Sequence, residues 1–525
     1  MYRSTEQRLS GLLQNGTRGL LLNSLKGLEK ESLRVTPEGT IARTPHPKAL
    51  GSALTHPWIT TDYSEALLEF ITPPHAHTAE TLGFLEDIHR FVYHQLDDEL
   101  LWATSMPCIV GGNDSIPIAE YGSSNVGFMK HVYRRGLDWR YGRAMQAISG
   151  IHFNYSFSRE FLQALQAAEG DSRPEPVYRS DAYFRLIRNF QRYGWLVPYL
   201  FGASPAVCSS FTQGQELGFQ SFDGHTLYEP YGTSLRMSDI GYKNKAQAGL
   251  KISYNDLDSY VDTLTRAIST PDEEYARIGT VVDGQWRQLN TNILQIENEY
   301  YSFIRPKAIA RSGEKPTLAL RRAGVEYVEI RALDLNPFEP TGIAEQHLVF
   351  LEGLLLFCLL QDSPVISPRE QAGINANQGL VARHGRDPDL QLYRGQGERV
   401  PLRQWAAEIF QTLEGPMELL DQLRPGQPYR DALADYRRAV DDAEHTPSAR
   451  VLREMRDRQE HFIEFAMRVS RQHEGYFRAQ PLSPELEQQF RDAATQSLAE
   501  QAEIEARDIE TEDFQAYLDR YFAQG

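Results

Sequence analysis

The stretch GLEKESLRV, residues 27–35, decides how this chain is read. It reads as a strand, and side chains two apart in a strand project from one face of the pleat, so Glu29 and Glu31 stand side by side. Two like charges placed together either look into water or enclose something positive. Similar arrangements recur, which favours a cation between them. In SGIHFNYSF (149–157), His152, Asn154 and Ser156 share one face while Ile151, Phe153 and Tyr155 take the other. In YVEIRALDL (327–335), Glu329 and Arg331 share a face opposite Val328 and Ile330, and in LQIENEYY (294–301) Gln295, Glu297 and Glu299 alternate the same way. Such strands predict an antiparallel sheet with one packed apolar side and one open polar side.

Between the strands, TAETLGFLEDIHRFVYHQL (78–96) and DAYFRLIRNFQRYGWLV (181–197) carry apolar residues at helical spacing and are expected to cover the back of the sheet. HLVFLEGLLLFCLL (347–360) is the longest apolar run; Glu352 interrupts it and it is too short for a bilayer, so it reads as a buried helix. From about residue 403 the pattern becomes long, charged and amphipathic. The expected organisation is an α+β body over residues 1–400 followed by a helical C-terminal region over 401–525 packed on it.

The chain has 525 residues, with 54 Lys and Arg against 71 Asp and Glu, a formal charge of −17. That charge repels phosphate backbones and anionic lipid, which argues against nucleic-acid and membrane partners. Cys108, Cys208 and Cys358 stand far apart with no C-x-x-C spacing, so neither a zinc site nor a disulfide framework is signalled. No secretory signal opens the chain, and a reducing cytoplasm is the expected compartment.

The segment ITTDYSEALLEFITP (59–73) adds three more acids. Read as a helix, Asp62, Glu65 and Glu69 fall on one side; read as a strand, only Glu65 and Glu69 agree. Glu69 lies among Leu67, Leu68 and Phe70, and an unpaired carboxylate there would cost several kcal/mol, so it requires a partner. Carboxylates with one histidine and no thiolate indicate a hard cation, Mg2+ above all, with Mn2+ as the alternative. Magnesium suggests ATP, yet neither a G-x-x-x-x-G-K-[ST] loop nor a G-x-G-x-x-G turn is present. A nucleotide would then be held by metal and basic side chains, for which RPKAIARSG (305–313) offers Arg305, Lys307 and Arg311 and the strand offers Arg331. Each feature has a plainer explanation. Acid pairs are most often solvated, a strand histidine is most often satisfied by neighbours, and Glu329 with Arg331 is an ordinary ion pair.

Taken together, LEKESLRV, ALGSALTHPWITTDYSEALLEFITP, YRRGLDWRYGRAMQAISGIHFNYSF, TSLRMSDIGYKNKAQ, LQIENEYYSFIRPK and GVEYVEIRALDLNPF resemble, in order and spacing, the proteobacterial type of glutamate–cysteine ligase. The resemblance implies a curved antiparallel sheet like the funnel of glutamine synthetase, with helices on its outer side. It implies ligation of the γ-carboxylate of L-glutamate to L-cysteine with ATP and Mg2+, the first step of glutathione synthesis, by a monomer. It places metal ligands at Glu31, Asp62 and Glu69 for one ion and at Glu29, His152 and Glu329 for those bridging the ATP phosphates. Glu329, His152 and Arg331 become catalytic, Arg331 beside the transferred phosphate. Tyr133, Arg134, Leu137, Gln146, Arg236, Tyr242 and Tyr301 fall where the amino-acid substrates bind. Tyr63 stands where the best-known members carry Phe in the cysteine pocket. Two other readings stay open: a sister carboxylate–amine ligase with a different amine, and a non-catalytic cation-binding protein, which leaves Arg331 and the 305–311 basic run without purpose.

Overall fold

Seven strands meet in one antiparallel sheet in the computed structural model, which describes all residues except 1, 2, 15, 16, 108, 213–216, 223, 242–248, 312, 510, 511 and 525. They are β1 (Leu25–Val35), β2 (Ile59–Thr61), β3 (Leu67–Ile71), β4 (Leu100–Leu101), β5 (Ile151–Ser156), β6 (Ile304–Lys307) and β7 (Tyr327–Leu333). The order is β6-β7-β5-β1-β3-β2, and β4 pairs with the far end of β1. This is the expected α+β class with an open sheet and no closed barrel.

Period-two alternation divides the two faces. Leu28, Leu68, Phe70, Phe153, Val328, Ile330 and Ile304 are all fully buried on one side. Helices α1 (Thr78–Gln95), α2 (Asn125–Tyr141), α3 (Glu175–Tyr193) and α4 (Glu345–Leu360) follow in chain order. Of these, α1 and α3 pack on β1 and β6, and α4 packs against both helices. Every residue of α4 from His347 to Leu360 is buried, as the apolar run predicted. Glu352, which interrupts that run, meets Lys26 of β1 at 2.7 Å, both fully buried, and accepts from Tyr429 at 2.6 Å. Among the described residues no helix is long and apolar enough to cross a membrane.

The chain continues through α5 (Leu402–Asp421), α6 (Pro428–Asp441), α7 (Phe462–Arg478) and α8 (Phe514–Phe522). Of these, α5 and α6 pack on α4, α7 packs on α1, and α8 packs on α2.

Three sequence readings are corrected. Residues 59–71 are neither a helix nor one strand but the β2–β3 hairpin, whose turn is closed by Asp62 N–H donating to Leu67 O at 3.0 Å and Leu67 N–H to Ser64 O at 2.8 Å. Residues 294–301 form no strand; Glu297–Glu299 is one 3-10 turn. The alternating acids there serve buried local partners. Glu299 accepts from Arg140 at 3.0 Å and from Tyr141 at 2.7 Å, and Glu297 accepts from Thr317 Oγ1 at 2.7 Å. The 181–197 helix also begins earlier than read, at Glu175, and breaks at Gly194.

Candidate active site

The polar face of the sheet carries a continuous row of ionisable side chains because its register aligns them. Glu69 of β3 stands opposite Glu31 of β1, Glu29 opposite His152 of β5, Asn154 opposite Glu329 of β7, and Glu329 opposite Arg305 of β6. All of these but Asn154 line a cavity of about 380 Å3 with Asp62, Lys307 and Arg331. Glu29, His152 and Glu329 each offer a ligand atom within 4.8 Å of the others. Among the described residues that tight grouping stops at these three. His152 Nδ1 lies 2.9 Å from Glu29 Oε2, a contact that fixes the proton on Nδ1 and leaves the Nε2 lone pair facing Glu31 Oε1 at 3.8 Å. Nε2 and Glu329 Oε2 are buried without hydrogen-bond partners, as open ligand positions would be.

The two ends of the row differ electrically. At one end, burial raises the carboxyl groups of Glu29 and Glu329, but the cations outweigh it. The His152 hydrogen bond holds Glu29 below its usual range, and Lys307, Arg331, His152 and Arg305 hold Glu329 well below. Lys307 Nζ is 3.5 Å and Arg331 Nη1 3.2 Å from Glu329 Oε1. At the other end burial and the neighbouring Asp62 push Glu31 up to about 8, and burial with Glu29, Asp62 and Glu31 raises Glu69 well above the carboxylate range. Carboxyl groups that stay raised with Arg134, Arg236 and Arg331 nearby suit a hard-cation site. The donor set, oxygen with one imidazole and no thiolate, suits Mg2+ or Mn2+.

The remaining predicted residues divide. Tyr133, Arg134, Leu137, Gln146 and Tyr301 line the same cavity, with Tyr301 Oη donating to Gln146 Oε1 at 3.1 Å. Arg305 and Lys307 line it too. Arg311 does not: β6 ends at Lys307, Ile309 N–H turns to Glu326 Oε2 at 2.8 Å, and Arg311 is exposed. Arg236 is fully buried, donates to Arg331 O at 2.9 Å and lines a second cavity of about 570 Å3 that shares Arg331 and Tyr301 with the first. Tyr242 lies outside the described residues.

The family model for glutamate-cysteine ligase matches residues 9–381, a span that contains every strand of the sheet. The chain belongs to the glutamate–cysteine ligase family. It is 53% identical over 490 residues to the glutamate–cysteine ligase of Pseudomonas paraeruginosa, covering 93% of this chain and 92% of that protein. It is 50% identical over 522 residues to that of Alcanivorax borkumensis, covering 98% and 99%. The crystal structure of glutamate–cysteine ligase from Francisella tularensis in complex with AMP superposes with a TM-score of 0.89 at 38% identity, covering 95% of this chain and 97% of that one. As a member of this family the chain is a ligase.

For a glutamate–cysteine ligase, sequence reasoning passed over a basic residue of the cavity. Lys130 lines it one turn before Tyr133 and Arg134, with burial and Arg134 lowering its ammonium to about 8. Its i, i+3, i+4, i+7 spacing with Tyr133, Arg134 and Leu137 is a helical-face signal that was available. Asn154 donates to Glu29 Oε1 at 2.9 Å and so holds that carboxylate. Glu65 faces away, accepting from the backbone of His46 at 2.8 Å and Glu120 at 2.9 Å.

Proposed function

We propose that this enzyme joins the γ-carboxylate of L-glutamate to the amine of L-cysteine, with ATP converted to ADP and phosphate through γ-glutamyl phosphate. The observation that carries the reading is the trio Glu29, His152 and Glu329, with ligand atoms within 4.8 Å, set beside Arg331 and Lys307. Glu29, Glu329 and His152 would hold Mg2+ for the phosphates, and Glu31, Asp62 and Glu69 a second ion. Bound there, the metal supplies Lewis acidity and charge neutralisation for in-line phosphoryl transfer.

The chain's own groups do the rest. Arg331 and Lys307 place fixed positive charge where the equatorial oxygens of the transferred phosphoryl group gather charge. Glu329 holds both cations in position through contacts of 3.2 and 3.5 Å. Asn154 keeps Glu29 oriented, and Glu29 keeps the Nδ1 proton on His152. Tyr133, Leu137, Gln146 and Tyr301 bound the acceptor end, where holding the amine against the acyl phosphate converts a bimolecular attack into a local one. The enzyme acts as a monomer in the cytoplasm.

Measuring ADP release with L-glutamate, ATP, Mg2+ and a panel of amines tests this. Cysteine-dependent ADP release with formation of γ-glutamylcysteine is expected; ADP release that ignores cysteine would reject it. The panel also tests a sister ligase with another amine, for which Tyr63 speaks: its hydroxyl is buried at the acceptor end with no hydrogen-bond partner.

A further inference from the structure

Glu297 and Glu299 are buried and do not line the carboxylate cavity, yet what Glu299 fastens bears on that cavity. Glu299 accepts from Arg140 Nη1 at 3.0 Å, from Tyr141 Oη at 2.7 Å and from Gln295 N–H at 2.6 Å. The side chains of Arg140 and Glu299 are both wholly buried. Arg140 reaches the same segment twice more, Nε donating to Gln288 Oε1 and Nη2 to Asn290 O, each at 2.9 Å, and its guanidinium lies over the Tyr275 ring at 4.0 Å. Gln295, also wholly buried, donates from Nε2 to Tyr133 O at 3.2 Å and accepts at Oε1 from Leu289 N–H at 3.0 Å. Gly136 makes the room: a Cβ there would stand 2.1 Å from Gln295 Oε1. A buried network of this kind specifies one arrangement, and removing one member of its ion pair strands the other charge.

This fastening joins two walls of the cavity. On α2, Tyr133 and Leu137 line the cavity, while Gly136 and Arg140 form the neighbouring row that meets residues 288–299. Beyond Glu299 in the fastened segment, Tyr301 lines the cavity from outside α2 and donates to Gln146 Oε1 at 3.1 Å. Glu299 is close enough to act on both tyrosines. Burial and then its charge raise the Tyr133 phenol, and burial with Glu299 raises that of Tyr301 against the Gln146 hydrogen bond. The gap between the two rings is therefore set by how the segment seats on α2, and neither tyrosine fixes it alone.

We infer, resting on the ligase reading above, that Glu299 and Arg140 are a positioning pair that holds Tyr301 against Tyr133 and so limits the size of the amine admitted at the acceptor end. The test is ADP release by the full-length enzyme with L-cysteine, L-2-aminobutyrate and L-norvaline, which is one methylene longer than L-2-aminobutyrate. Glu299→Gln strands Arg140, and Gly136→Ala pushes on Gln295, so the two variants disturb the seat by unrelated routes; melting curves confirm that each folds. Each is expected to raise the KM for L-cysteine about tenfold while those for ATP and L-glutamate stay within about twofold, and to raise kcat/KM for L-norvaline relative to L-2-aminobutyrate at least about threefold. Glu297→Gln is the control, because that equally buried acid accepts from Thr317 Oγ1 instead and should leave the L-cysteine KM within about twofold. An unchanged L-norvaline preference in both variants, an equal rise in all three KM values, or the same response from Glu297→Gln overturns the inference and leaves the ligase reading standing. A wild type that releases no ADP with any amine overturns both.

Discussion

Glu31 and Glu69 stand directly opposite each other on β1 and β3, one carboxyl group buried and the other half-buried, in register. Such a pair is destabilising in a sheet, and both carboxyl groups are accordingly raised toward the protonated form. Added Mg2+ should therefore raise the melting temperature, by the equivalent of about 2.7 kcal/mol at a hundredfold excess over its Kd. Glu69→Gln should raise the metal-free melting temperature and blunt the response to Mg2+. Scanning calorimetry with and without chelator measures both, and a wild type indifferent to divalent cations would reject the cation site.

Glu29→Gln and Glu329→Gln are expected to lower kcat at least about a hundredfold, because each removes an anionic ligand from the tight trio. Steady-state ADP release is the measurement, with circular dichroism confirming an intact fold. Near-normal turnover in both variants contradicts the assignment.

Arg331→Lys should lower turnover about tenfold or more although the charge is kept, because an ammonium cannot reproduce the planar guanidinium whose Nη1 now lies 3.2 Å from Glu329 Oε1. A kcat within twofold of wild type, about the scatter of such assays, would remove Arg331 from the phosphoryl site.

Buried histidines set an acid limit on the fold. His347 Nδ1 accepts from Ala344 N–H at 3.1 Å, and His56 Nδ1 accepts from Trp58 N–H at 3.1 Å and Ile59 N–H at 2.9 Å. Burial pushes each imidazole down to about 4. Between that value and the ordinary 6.5 the unfolded chain binds more protons than the folded one, so stability is full above 6.5 and is lost as pH falls. Each group should contribute a slope of about 1.4 kcal/mol per pH unit in that window. Denaturant unfolding from pH 7 to 4.5 should show a shallower slope in His347→Gln than in wild type; equal slopes would exclude His347 as a source.

How much of this was legible in sequence follows from where the signals are local. The polar rows of β1, β5 and β7 were readable because alternation in one strand already fixes which side chains share a face. Glu69 was recognisable as a charge among apolar residues, but the hairpin bend that brings Asp62 beside it is a turn property that strand and helix periodicities both miss. The acids of 294–301 misled because alternation cannot tell a sheet face from a turn whose carboxylates meet Arg140, Tyr141 and Thr317. Arg311 misled because a basic run says nothing about where a strand stops.

Along β1, Leu28 and Glu29 are neighbours yet belong to the core and the cavity respectively. Inserting or deleting one residue there would turn the acids inward and Leu28 outward in a single step. That strand can therefore change its letters over evolutionary time but not its count, and length variation in related chains should fall in the connecting segments instead.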